Sequence, residues 1–168
     1  IEAHTDLVKK LDYECELAVV LGKDARDVPA GQTRDYIFGY TILNDVSARD
    51  VQTAHKQWYF GKSLDGFTPM GPCIVTADAF ADYPPRLGIR SFVNGEKRQD
   101  SNTALQIFDI DHVIAELSQG MTLKAGTIIA TGTPAGVGMG MDPPQFLKPG
   151  DVVRCEIDGI GTLTNPIE

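Results

Sequence analysis

Leu11-Asp-Tyr-Glu-Cys-Glu-Leu-Ala-Val-Val-Leu-Gly22 is the stretch that decides the fold. Its second half is a continuous apolar run centred on β-branched Val19 and Val20, the signature of a buried strand. Its first half carries Glu14 and Glu16, two residues apart. In a strand this spacing sets both carboxylates on one face, with Tyr13, Cys15 and Leu17 on the other. Two like charges so close repel unless a cation or a proton lies between them. A strand that starts with paired carboxylates and ends in a core reads as half of a metal site.

Working outward, residues 33–36 open a short helix and residues 37–43 read as a second strand. Residues 44–54 read as a short helix capped by Asn44 or Asp45. Residues 73–76 form a third strand. Residues 87–93 alternate in polarity and run into Asn94-Gly95, a two-residue hairpin signal, with 96–99 as the return strand. The clearest helix is 110–119: Val113, Ile114 and Leu117 form its apolar face, Asp109 or Asp111 caps it and Gly120 stops it. Residues 126–131 are a strand, and 148–163 form a last hairpin turning at Asp158-Gly159. Seventeen glycines and ten prolines favour strands and turns over long helices.

The 168 residues fit one domain with a sizeable core. A formal charge of -8 excludes a nucleic-acid surface, and no basic run offsets it. No apolar stretch reaches the roughly 18 residues of a membrane helix, and no signal peptide is visible. Cys15, Cys73 and Cys155 are odd in number and widely spaced, which reads as reduced core cysteines and not as a disulfide framework. Reduced cysteines of this kind suit a cytoplasmic protein.

Three carboxylates are candidate ligands: Glu14, Glu16 and Asp45. Hard oxygen donors suit Mg2+ or Mn2+. On spacing alone, Asp45 reads equally as a helix cap, and Glu14 and Glu16 can pair with Lys9 or Lys10. Arg49 and Gln52 follow Asp45 at i+4 and i+7, one helical face suited to an anionic, oxygen-rich substrate. The competing reading is an Asp45–Arg49 helix ion pair worth about 0.3–0.5 kcal/mol. Lys62, between an aromatic stretch and a Gly/Pro-rich turn, is either an oxyanion stabiliser or a surface lysine. Thr133, in Gly132-Thr-Pro-Ala-Gly-Val-Gly138, can offer a hydroxyl and a backbone N–H to a carboxylate, or it belongs to a structural loop. His55 can lie near the site, His112 is structural on its helix, and His4 has no readable context.

Six segments, in order, resemble the catalytic domain of the fumarylacetoacetate hydrolase family: Leu11-Asp-Tyr-Glu-Cys-Glu-Leu, Ile42-Leu-Asn-Asp-Val-Ser-Ala-Arg-Asp-Val-Gln52, Gly61-Lys-Ser-Leu-Asp-Gly-Phe-Thr-Pro-Met-Gly-Pro72, Asp100-Ser-Asn-Thr103, Leu117-Ser-Gln-Gly-Met-Thr-Leu-Lys-Ala-Gly126 and Ala130-Thr-Gly-Thr-Pro-Ala-Gly-Val-Gly138. The resemblance implies a β-rich α+β fold of rolled mixed sheets with few short helices, a homodimer, and a Mg2+ or Mn2+ site. It places the metal ligands on Glu14, Glu16 and Asp45, the substrate-polarising groups on Arg49 and Gln52, the catalytic lysine on Lys62 and a substrate-binding threonine on Thr133. The family's hydrolases carry a histidine paired with a glutamate ahead of the ligand strand, where this chain has Glu2 and His4. The resemblance therefore also implies a missing N-terminal stretch and a disordered loop near residues 6–7.

The expected substrate is a 2-oxo acid or diketo acid chelated through its carboxylate and adjacent carbonyl oxygen. The leading expectation is hydrolysis of a C–C bond in an acylpyruvate of the fumarylpyruvate or acetylpyruvate type, leaving a metal-bound enolate. The alternatives are isomerisation of 2-hydroxyhepta-2,4-diene-1,7-dioate and decarboxylation of oxaloacetate. A non-catalytic binding protein on the same fold is the remaining class.

Overall fold

The computed structural model describes residues 1–54 and 56–168. Among the described residues the order is β1 (Leu11–Asp12), β2 (Cys15–Leu21), β3 (Ile37–Asn44), β4 (Ser47–Ala48), α1 (Arg49–Ala54), β5 (Met70–Thr76), β6 (Gly88–Val93), β7 (Glu96–Asn102), α2 (Ile110–Ser118), β8 (Ile128–Ala130), β9 (Val152–Ile157) and β10 (Gly161–Pro166). Two four-stranded sheets carry the molecule, in the orders β5-β3-β2-β8 and β10-β9-β6-β7, with β1 and β4 as a separate pair. Among the described residues every strand pairing is antiparallel. This is the expected α+β class, strand-dominated, with two short α-helices and several single 3-10 turns among the described residues, one of them at Thr33–Tyr36.

β2 is central in its sheet and buried along its whole length, as its apolar run requires. Cys15, Leu17, Val19 and Leu21 of β2 join Ile89 and Val93 of β6 and Val153, Cys155 and Ile157 of β9 in one core cluster. The hairpin at Asn94-Gly95 forms as read: both residues have positive φ, 52° and 84°, as a type I′ turn demands. The return strand then holds a surprise. Ser91 pairs with Gln99 and Phe92 with Lys97, so Arg98 is left over as a bulge. The extra residue brings Gln99, and not Arg98, opposite buried Ser91; Gln99 is fully buried.

Four local expectations are corrected. The first strand is not continuous: Asp12 turns its carboxylate back onto the Tyr13 N–H at 2.9 Å, and the chain leaves the ladder between β1 and β2. The helix expected from residue 44 starts at Arg49, after β4, so Asp45 lies ahead of it in a connection and is not its cap. Cys15 and Cys155 are buried as expected, but Cys73 is exposed on β5, an edge strand with neighbours on one side alone. In α2, Asp109 is the cap, accepting from the His112 N–H at 2.8 Å, but Leu117 stands in solvent and Ile110, Ile114 and Ser118 take the buried face.

The β2–β3 register positions the site. Cys15 pairs with Asn44, so Glu14 and Asp45 emerge side by side at one end of the sheet. The Asp45 N–H donates to the Glu14 carbonyl at 2.9 Å, and the Glu14 N–H donates to Asn44 Oδ1 at 3.0 Å. No helix among the described residues is long and apolar enough to cross a membrane.

Candidate metal centre

Glu14, Glu16 and Asp45 each bring a carboxylate oxygen to within 4.8 Å of the other two. Two residues of one strand end and one from the neighbouring strand's exit thus make the cluster that the sequence pattern and the resemblance expect. Glu16 is the deepest, 3% exposed, and its Oε2 accepts the Gly132 N–H at 2.8 Å. Lys62 enters from the turn after α1. Its Nζ donates to Glu14 Oε2 at 2.8 Å and to Asp45 Oδ2 at 2.6 Å. Gly61 makes that approach possible: a Cβ there would stand 2.6 Å from the Gln52 backbone N, so only glycine lets the turn lie against α1.

Arg49 is buried behind the cluster, and the ion pair with Asp45 weighed above is not the one it makes. Its Nε donates to Asp12 Oδ2 at 2.9 Å and its second terminal nitrogen meets Glu14 Oε1 at 2.7 Å. The other terminal nitrogen donates to Gln52 Oε1 at 3.2 Å. Asp12, which the sequence reading passed over, is fully buried. Besides Arg49 and its own neighbour Tyr13, it accepts the N–H groups of Gly138 at 2.7 Å and Met139 at 2.9 Å. It thereby ties the loop at 132–140 to the ligand strand. Its signal in the sequence was position alone, a carboxylate inside a run of buried residues.

The other expected residues divide. Gln52 is buried beside Arg49. The Thr133 hydroxyl is engaged inside the protein, donating to the Cys15 carbonyl at 2.9 Å and accepting from Gln99 Nε2 at 2.8 Å. The His4 Nε2 lies 2.8 Å from the Asp65 carbonyl and its Nδ1 3.5 Å from Glu2. His112 stacks on Phe108 at 4.7 Å. His55 lies outside the described residues. A cleft of about 460 Å3 is lined by residues that include Leu17, Ile89, Phe108 and Pro134. None of the three clustered carboxylates lines it. The cleft reaches the cluster's surroundings through Gly132 and Thr133, which line it.

Charge bookkeeping tests whether a cation fits. Asp12, Glu14, Glu16 and Asp45 bring four carboxylates, and Arg49 and Lys62 answer with two positive charges. Arg49 and Lys62 are shared among Asp12, Glu14 and Asp45, so Glu16 has only a peptide N–H. Burial, set against that N–H and reinforced by the Asp45 and Glu14 charges, pushes Glu16 up to about 8. Asp45 is also raised, by burial first, with Lys62 opposing and Glu14 adding. An oxygen-only donor set short of two positive charges fits a hard divalent ion, Mg2+ or Mn2+.

A pH dependence follows. A carboxyl raised from about 4.5 to about 8 on folding stabilises the fold below pH 4.5, and that contribution is lost as pH rises through 8. In EDTA, urea-unfolding midpoints should therefore fall between pH 6 and pH 8.5. Saturating Mn2+ should cancel the fall, and Mn2+ affinity should itself strengthen over this range, because the ligand form is the carboxylate.

The model for the C-terminal domain of fumarylacetoacetate hydrolase matches residues 1–168. The chain belongs to the fumarylacetoacetate hydrolase family. It is 50% identical over 167 residues to the oxaloacetate tautomerase YisK of Bacillus subtilis, covering 99% of this chain and 55% of that protein. A fumarylacetoacetate hydrolase from Exiguobacterium antarcticum superposes with a TM-score of 0.97 at 51% identity, over all of this chain and 60% of that one. The 5-carboxymethyl-2-hydroxymuconate delta-isomerase of Mycobacterium smegmatis matches with a TM-score of 0.86 at 42% identity, over 99% of this chain and 61% of that one. The chain thus spans little more than half the length of these family members, which are named as a hydrolase, an isomerase and a tautomerase.

Proposed function

We propose that this chain is the catalytic domain of a divalent-metal-dependent enzyme that moves a proton on a 2-oxo acid, as a tautomerase or isomerase of an oxaloacetate-like or dienoic dicarboxylic acid. The single observation that carries the metal-dependent part is the converging Glu14, Glu16 and Asp45 set with its deficit of positive charge. A Mg2+ or Mn2+ ion held by those three side chains would supply Lewis acidity to a chelated carbonyl oxygen. Lys62 stands between two of the ligands. An ammonium so placed can hold a proton at, or neutralise charge on, an oxygen brought beside Glu14 and Asp45. Arg49 fixes one oxygen of Glu14 and leaves the other to Lys62. Gln52 steadies Arg49, and the loop carrying Thr133 meets the substrate carboxylate.

The similarity to the oxaloacetate tautomerase and to the isomerase favours proton transfer over the C–C hydrolysis first expected. The Exiguobacterium hydrolase supports hydrolysis as the second reading. We include a homodimer: Leu105, Ile107 and Phe108 stand together in solvent, 74%, 93% and 61% exposed, and such apolar patches mark association surfaces. A cytoplasmic site of action completes the reading.

The test is a panel with Mg2+ or Mn2+ in which enol and keto absorbance, pyruvate and CO2 are followed together on oxaloacetate, a dienol diacid and acylpyruvates. Faster enol–keto interconversion without pyruvate or CO2 establishes the first reading. Pyruvate with the matching acid establishes hydrolysis, CO2 establishes decarboxylation, and inertness on every substrate overturns the function.

A further inference from the structure

Gln99 belongs to the second sheet, yet its side chain reaches the first. Its Oε1 accepts the Cys15 N–H at 3.2 Å, in the peptide between Glu14 and Glu16. Its Nε2 donates to Thr133 Oγ1 and to the Pro134 carbonyl, each at 2.8 Å. The amide orientation is fixed by these partners, since a main-chain N–H requires the oxygen and a carbonyl requires the nitrogen. Both amide protons are thereby used. The Thr133 hydroxyl, already accepting from Gln99, gives its own proton to the Cys15 carbonyl at 2.9 Å. A hydroxyl has one proton, so this one has none left for an anion.

We propose that Gln99 is a positioning residue of the metal centre. One side-chain amide locks the Cys15 peptide between two ligand-bearing residues and the Thr133–Pro134 turn to each other. Because the lock consumes the Thr133 hydroxyl, the main chain of this turn, and not the threonine side chain, is what an oxo-acid carboxylate meets. The Arg98 bulge aims Gln99 inward; without it Arg98 would face Ser91. The same turn carries the Gly132 N–H that Glu16 accepts, so its placement bears on both ligand and substrate. The proposal rests on the metal-dependent reading for its substrate, but the lock itself does not.

Gln99→Met keeps length and apolar bulk but removes all three bonds, while the Thr133 hydroxyl keeps its bond to the Cys15 carbonyl. The first measurement is hydrogen exchange of the metal-free protein. Gln99→Met should speed exchange at Cys15, Gly132 and Thr133 at least tenfold while leaving β6 and β9 unchanged. Unchanged exchange at those three amides overturns the lock, whatever the enzyme does. The second is steady-state kinetics, in Mn2+, on whichever oxo acid the wild type turns over. KM should rise at least tenfold with kcat within threefold. A KM unmoved in Gln99→Met, or a kcat that falls as far as KM rises, overturns the positioning role. If the wild type turns over nothing, the functional reading fails while the exchange result still decides the lock.

Discussion

Glu16→Gln is expected to make the metal-free protein more stable and, by the same change, to remove its activity. The amide keeps an oxygen for the Gly132 N–H and nearly the same volume, while deleting a buried charge that no side-chain cation answers. At pH 8.5 in EDTA the variant should unfold at higher urea than wild type, and the gap should close towards pH 5, where wild-type Glu16 is protonated. Mn2+ affinity should fall by more than about 100-fold, since even partners outside the first coordination sphere cost 10–100-fold when lost. Metal-dependent turnover should fall by about 1000-fold, the worth of several kcal/mol of charge stabilisation. Titration of Mn2+ followed by its paramagnetic signal, alongside urea curves at the two pH values, checks both halves. A variant that loses stability while keeping the ion would place the cation elsewhere.

Arg49→Met has the second large effect, on folding. Asp12 is fully buried and Arg49 is 5% exposed. Removing the guanidinium leaves Asp12 with only main-chain donors and Glu14 with one cation instead of two. Breaking a buried pair from one side costs about 3–5 kcal/mol, because a charge remains without its partner. Asp12→Asn in the same chain should return part of that loss, and urea midpoints for the two single variants and the double variant give the coupling directly. If Arg49 acts mainly on substrate, as the resemblance implies, Arg49→Met would instead raise KM with little change in midpoint.

The parts legible in the sequence were those set by local periodicity. The apolar run of β2, the Asn94-Gly95 turn and the cap of α2 need no knowledge of what lies across the core. The carboxylate cluster was half legible: Glu14 and Glu16 announce themselves by spacing, whereas Asp45 needed the resemblance, because a strand-to-helix aspartate looks like a cap. What stayed hidden depends on partners distant in the chain. Asp12 matters through Arg49 and the Gly138 and Met139 amides, 37 or more positions away. Gln99 matters because a single surplus residue reverses the facing of β7, which no two-residue alternation reveals. Cys73 looked like a core residue and is exposed on an edge strand.

The β2–β3 register and the loop at 132–140 have a kinetic consequence. Glu14 and Glu16 are neighbours in any extended chain, but Asp45 joins them only after two strands zip, and the Gly132 amide arrives from 116 residues beyond Glu16. Contacts of such long loops form late on the way to the native state. A divalent ion bound there would therefore act on the chain as a latch and not as a seed: adding it should slow the escape from the native state and leave the rate of first assembly almost untouched.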